Sequence, residues 1–158
     1  MLKLAVYIIV ATFALAGAAL AEPMKLTVNQ AASVSVGIGL LDKGFDEPAK
    51  NDGKDVILHR AFAFSPAARI ALAVDASRIS DAIGPAQRAL KAAREKIAPT
   101  GGELDAEARK ALEAEAEKIG AQIIEIDLTP IGEDQLALDK NPGISAATIQ
   151  ALLPIFKH

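Results

Sequence analysis

The stretch "SPAARIALAVDASRISDAIGPAQRALKAAREKIAPTGGELDAEARKALEAEAEKIG", residues 65–120, decides the fold class. Ser65 is a helix-capping residue, and Pro66 occupies the first turn, where its missing N–H costs nothing. From there Leu72, Ala76, Ile79, Ile83, Ala86, Leu90, Ala93 and Ile97 recur in steps of four and three. That spacing is a heptad seam along one helical face. Gly84-Pro85 interrupts it. An interior proline removes one backbone hydrogen bond and kinks a helix, so the pattern predicts one bent helix over 66–97, or two helices with a tight joint. "APTGGE", 98–103, ends it. A second helix is predicted over 104–119, with Leu104, Ala108, Ala111, Leu112 and Ile119 on its apolar face and Gly120 closing it. The short turn makes the two antiparallel. The second helix is the shorter, so the seam before Gly84-Pro85 is expected to pack on the first or last helix of the chain.

Outside this hairpin the periodicity changes. "DVILHRAFAF", 55–64, and "QIIEIDL", 122–128, read as strands. In the second, Ile124, Ile126 and Leu128 alternate with Glu125 and Asp127. The two strands flank the hairpin in sequence, and pairing them antiparallel gives a ribbon that needs helical cover on one face. "LTVNQ", 26–30, starts a helix: Thr27 and Gln30 stand at capping-box spacing, with Leu26 and Ala31 placed as a staple. Ala31, Val34, Ile38 and Leu41 form its face. Gly37 and Gly39 either weaken it or admit a neighbouring helix closely. Ser145 caps a short last helix through Leu153, and Pro154 breaks it. The predicted class is α+β and predominantly helical: a long kinked helical hairpin, a two-stranded antiparallel ribbon and flanking helices.

Residues 1–21 have a different character. Lys3 is followed by an uncharged run, Leu4 to Leu20, and Ala19-Leu20-Ala21 supplies the small-x-small pattern of a cleavage site after Ala21. That order describes a secretory signal peptide. The expectation is a leader over 1–21 and one small α+β domain over 22–158, located in the periplasm or secreted. Two alternatives are an uncleaved membrane anchor and a true start at Met24. Removing the leader takes away Lys3 alone and moves the formal charge from −3 to −4. That acidity argues against a non-specific nucleic-acid binder. The chain has no Cys, which excludes disulfides, thiol catalysis and thiolate metal sites. It has five Phe, one Tyr (Tyr7, in the leader) and no Trp, so its core must be aliphatic and it has few rings on which to stack sugars or bases.

The candidate chemistry is sparse. His59 lies on a predicted strand, and the other histidine is the terminal His158. No nucleophile elbow accompanies His59, and a zinc site would need further nitrogen ligands. Glu113, Glu115 and Glu117 are two residues apart and so face apart on a helix. Gly37-x-Gly39 lacks the strand and third glycine of a dinucleotide loop. "DKGFDEPAKNDGK", 42–54, reads as a polar loop whose acids do not follow the calcium-loop spacing. No catalytic, metal or cofactor site is assigned, and no enzyme activity is expected. Loops beside a rigid scaffold are common binding sites. Asp46, Glu47, Lys50, Asp52 and Lys54 of this segment are therefore the candidate interaction residues.

"MKLTVNQA", "PAQRALKAARE" and "IIEIDLTPI…LALDKNPGISAATIQALLPIF" resemble a loosely defined group of small uncharacterised proteobacterial and prophage proteins. That resemblance implies a start near Met24, a charged helical middle, an acidic alternating strand and an Asn-Pro step before an apolar helix. It implies no catalytic residues. The functional expectation is a non-catalytic interaction module that binds a protein, not nucleic acid, and meets the membrane only through its leader. It is expected to be a monomer, with homo-oligomerisation as the alternative. The alternative function is a phage-derived morphogenesis or lysis-associated protein with an uncleaved anchor or a misassigned start.

Overall fold

The computed structural model describes residues 23–98 and 103–157. The leader with its cleavage site at Ala21, the Thr100-Gly101-Gly102 turn and His158 lie outside the described residues.

A four-residue strand, β1 (Met24–Thr27), runs straight into α1 (Val28–Lys43). The capping box is formed: the Gln30 amide donates to Thr27 Oγ1 at 3.1 Å, and the Thr27 amide donates to Gln30 Oε1 at 2.8 Å. The buried face of α1 includes the expected Ala31, Val34, Ile38 and Leu41. The two glycines of this helix separate. A Cβ on Gly37 would meet Leu152 at 3.0 Å and Ala151 at 3.2 Å, whereas one on Gly39 would meet nothing within 4 Å. Gly37 is where α1 and α5 (Ala146–Leu152) approach each other.

Two sequence expectations are overturned next. The segment 42–54 is not a loop: Asp42 and Lys43 complete α1, and Phe45–Asn51 is a strand, β2. It pairs antiparallel with β3 (Lys54–Arg60), from Phe45↔Arg60 to Asn51↔Lys54. Asp52 and Gly53 form the connection with φ of 49° and 77°. Two consecutive positive φ values make the type I′ hairpin turn, which matches the twist of the strands it joins. Gly44, at φ 74°, allows the sharp exit from α1, because a Cβ there would collide with the Arg60 carbonyl. The predicted pairing of 55–64 with 122–128 is also wrong. β4 (Ile123–Ile126) pairs antiparallel with β1, Met24↔Ile126 through Thr27↔Ile123. Met24–Thr27 is too short to show a strand period, and its last residue was absorbed by the helix cap. Residues 61–65 carry no regular structure, although Phe62 and Phe64 do lie side by side, ring centroids 6.0 Å apart.

The helical hairpin is present. α2 (Pro66–Ile97) is one helix with Pro85 inside it, and Ser65 caps it by accepting from the Ala68 amide at 3.1 Å. Leu72, Ile79 and Ile83 of the seam are buried in the main core, with Val34 and Ile38 of α1 and Ile126 of β4. The half of the seam before Pro85 therefore packs as expected, on the first helix. α3 (Ala106–Gly120) starts after the Asp105 cap, and near its end Ile119 meets Ala86 and Val28. It runs back along α2. Beyond Ala86 the seam is incompletely covered: Leu90 is 37% exposed. Ala111, assigned to the apolar face of this helix, is exposed.

β4 behaves as its alternation predicts. Ile126 and Leu128 are buried and Ile124 half-buried, while Glu125 and Asp127 face solvent. Two short helices, α4 (Glu133–Leu136) and α5, then a 3-10 turn at Leu153–Ile155, close the core around Leu136, Leu152 and Ile155. The end is tied back by Ile131, whose amide donates to the Ile155 carbonyl and whose carbonyl accepts from the Lys157 amide, both at 2.9 Å.

Candidate functional site

The five candidate interaction residues all lie on the β2·β3 hairpin arm, and the structure brings them together. Asp46 sits opposite His59, with Oδ1 2.9 Å from the His59 Nδ1. Glu47 pairs with the Arg60 guanidinium. Lys50 lies opposite Asp55, Lys54 opposite Asn51, and Asp52 forms the turn. These pairs stand in water, Asp46 and His59 each about two-thirds exposed. They set register and charge pattern more than stability.

Strand alternation sorts the arm into two faces. One carries Asp46, Pro48, Lys50, Asp55, Ile57 and His59. The other carries Phe45, Glu47, Ala49, Val56, Leu58 and Arg60. Ile57 is 74% exposed and Leu58 41% exposed. These apolar residues, with Asp55 and His59, lie on the segment that the sequence reads as a strand. What sequence reasoning missed is the hairpin that sets the candidates Asp46, Glu47 and Lys50 opposite His59, Leu58 and Asp55. The signal was there: Asp52-Gly53 between two extended runs is a strong hairpin cue. It was hidden by the low strand propensity of "FDEPAKN".

Among the described residues the arm is anchored at its base alone. Phe45 stacks on Phe62 with centroids 5.1 Å apart, and a Cβ on Gly143 would come within 2.7 Å of the Phe45 ring. Beside that base, between α1, α2 and residues 61–64, lies a cleft of about 740 Å³ walled by Ile38, Leu41, Phe62, Phe64 and Leu72. Arg69 stands in its lining and donates to the Phe62 carbonyl at 3.2 Å. Such a lining has the chemistry to take a small apolar molecule with an anionic end.

Two buried polar side chains hold the scaffold behind the site. Asn141 is 2% exposed. Its Oδ1 accepts from the Ala63 amide at 2.7 Å, and its Nδ2 donates to the carbonyls of Leu136 at 2.7 Å and Ala63 at 3.3 Å. It fixes the segment that leads out of the arm. Asp75, fully buried on α2, accepts from the Thr129 amide through both oxygens, at 3.1 and 3.2 Å. Burial pushes its carboxyl above the usual value of 3.8, opposed by the Thr129 hydrogen bonds and by Arg78. Arg78 reaches on to the Asp127 carbonyl at 2.7 Å. An acid one step off an apolar seam, between Leu72 and Ile79, was the signal for this clamp.

Among the described residues, no group of three or more His, Asp or Glu is arranged to hold a metal ion, and no helix is long and apolar enough to cross a membrane. No known protein family, curated protein or solved structure matches the chain.

Proposed function

We propose that the chain is an exported, non-catalytic interaction module, located in the periplasm or secreted, whose hairpin arm captures a protein partner presenting an extended strand. The observation that carries this reading is the arm itself. A two-stranded hairpin without cover is marginal in water, and an exposed strand edge is a ready template for another strand. This arm keeps both edges open among the described residues and leaves Ile57 and Leu58 in solvent. Ile57 and Leu58 put one exposed apolar side chain on each face of β3, beside the ion pairs of the arm. The acidic formal charge points to protein, not nucleic acid, and membrane contact is assigned to the leader before cleavage after Ala21.

Shortening the arm by deleting Pro48–Gly53 tests the reading. The melting temperature should stay within about 2 °C, because the deleted residues bury little, while partner capture from a periplasmic extract is lost. A shortened arm that keeps every partner overturns it. Mass spectrometry of the native protein tests export: an N-terminus at Glu22 supports it. One at Met1 or Met24 supports the phage-derived morphogenesis or lysis-associated reading instead.

A further inference from the structure

The two edges of the arm are not equivalent. A two-residue turn makes Asn51↔Lys54 a hydrogen-bonded pair. The bonded pairs then alternate: Asn51↔Lys54, Ala49↔Val56, Glu47↔Leu58 and Phe45↔Arg60. The pairs between them, Lys50↔Asp55, Pro48↔Ile57 and Asp46↔His59, turn their backbone groups outward. Pro48 therefore falls on an outward position. It takes nothing from the hairpin ladder, and it removes the central donor from the free edge of β2, which is how proline protects an edge strand. The free edge of β3 has no such guard. Asp55, Ile57 and His59 direct every N–H and C=O outward there.

We propose that this edge pairs with the same edge of a second copy of the chain, giving a four-stranded antiparallel sheet with a twofold axis at Ile57. The proposal rests on reading the arm as an interaction surface and names its partner. A twofold axis perpendicular to a sheet keeps each face on its own side, so paired residues must lie an even number of positions apart in sequence. With the axis at Ile57, Ile57 meets the partner's Ile57, Val56 meets the partner's Leu58, and Asp55 meets the partner's His59. Apolar residues oppose apolar ones, and the acid opposes the imidazole that Asp46 already holds within the chain. Moving the axis to Val56 sets Asp55 against the partner's Ile57. Moving it to Leu58 sets Ile57 against the partner's His59. Both mismatch charge and apolar surface, so one register is specified. The end pair, Lys54 and the partner's Arg60, is of like charge, but Glu47 already neutralises Arg60.

The junction supplies about six backbone hydrogen bonds, two at each outward pair. Two short strands cover less than the ~1,000 Å² of a stable interface, so the dimer forms as concentration rises. Light scattering of the mature full chain from ~1 µM to ~1 mM should show the mass doubling. Ile57→Pro repeats on β3 what Pro48 does on β2. It should weaken the dimer at least tenfold with circular dichroism and melting unchanged. The absence of Cys provides a second reading of the same edge. Across a bonded antiparallel pair the Cα atoms are ~5.5 Å apart, within disulfide reach. Ile57→Cys should thus cross-link two copies under mild oxidation, and Pro48→Cys should not. A chain that keeps a single mass up to ~1 mM, or Pro48→Cys cross-linking as readily as Ile57→Cys, overturns the proposal. If that single-mass chain captures another protein only when its arm is intact, the pairing fails and the interaction reading stands. A dimer indifferent to deletion of Pro48–Gly53 sinks both.

Discussion

β1·β4 and β2·β3 are both two-stranded antiparallel ribbons, yet they sit in opposite surroundings. In β1·β4, Leu26 and Ile126 are each 4% exposed and belong to the core built by α1 and α2. The ladder continues past the strand, where the Val28 amide donates to the Gln122 carbonyl at 2.9 Å. In β2·β3 the strands are longer, but among the described residues nothing covers them beyond the Phe45 end. The difference teaches that strand length does not decide which ribbon is part of the fold. Cover does, because two strands alone bury too little to stand in water. The covered ribbon belongs to the scaffold, and the bare one is surplus to it.

The contrast is broken most severely by disabling a scaffold clamp. Asn141→Leu strips the Ala63 amide and carbonyl and the Leu136 carbonyl of their buried partner. The Leu136 carbonyl is left buried and unsatisfied at about 1–3 kcal/mol, while the Ala63 groups are only partly shielded. With the mismatch in shape included, chemical denaturation should show a loss of about 2–4 kcal/mol. Ile57→Lys, at a more apolar position of the arm, should change stability by less than about 0.5 kcal/mol. Equal losses from the two would erase the distinction between scaffold and arm.

A smaller effect separates the glycines of α1. Gly37→Ala drives a methyl against Leu152 and Ala151 and should cost about 1–2 kcal/mol. Gly39→Ala meets open space and should gain about 0.5–1 kcal/mol from helix propensity. Thermal melts of the two variants should move in opposite directions. A shared direction would mean that α5 does not approach α1 at Gly37.

The smallest effect is a change of slope with pH. Asp75 has a folded pKa raised by burial above 3.8, so the folded state holds its proton more tightly than the unfolded chain. Its favourable contribution is complete below 3.8 and is lost as pH rises through the folded value. Asp75→Asn keeps an oxygen to accept from the Thr129 amide and carries no charge to desolvate. Relative to the parent chain, the variant should therefore gain stability across that rise and hold the advantage at neutral pH. Urea melts from pH 3 to pH 8 check this. A variant that falls behind as pH rises would show the carboxylate to be a favourable partner of Arg78.

The scaffold was legible where a residue's side-chain period and its burial have the same cause. The seam Leu72, Ile79 and Ile83, the Thr27 and Ser145 caps and the alternation Ile124 to Leu128 all followed from one face meeting the core. Of the arm, β3 was legible as the strand read over 55–64, and β2 was illegible for the same reason. With no core beside it, β2 carries Asp46, Glu47, Pro48 and Lys50 without a hydrophobic period, and only the Asp52-Gly53 turn betrays it. The partner of β4 was missed because pairing is a long-range choice. Met24–Thr27 and Lys54–Arg60 are both extended, and only the packing of α1 against α2 selects the former.

Residue-resolved amide hydrogen exchange on the mature chain, at ~10 µM and at ~1 mM, tests the central claim most directly. The β1·β4 ladder should be protected at both concentrations, because it opens only when the scaffold does. The outward amides of Asp55, Ile57 and His59 should exchange freely in the dilute sample and become protected in the concentrated one. Exchange at those three amides that is the same at both concentrations would contradict the account.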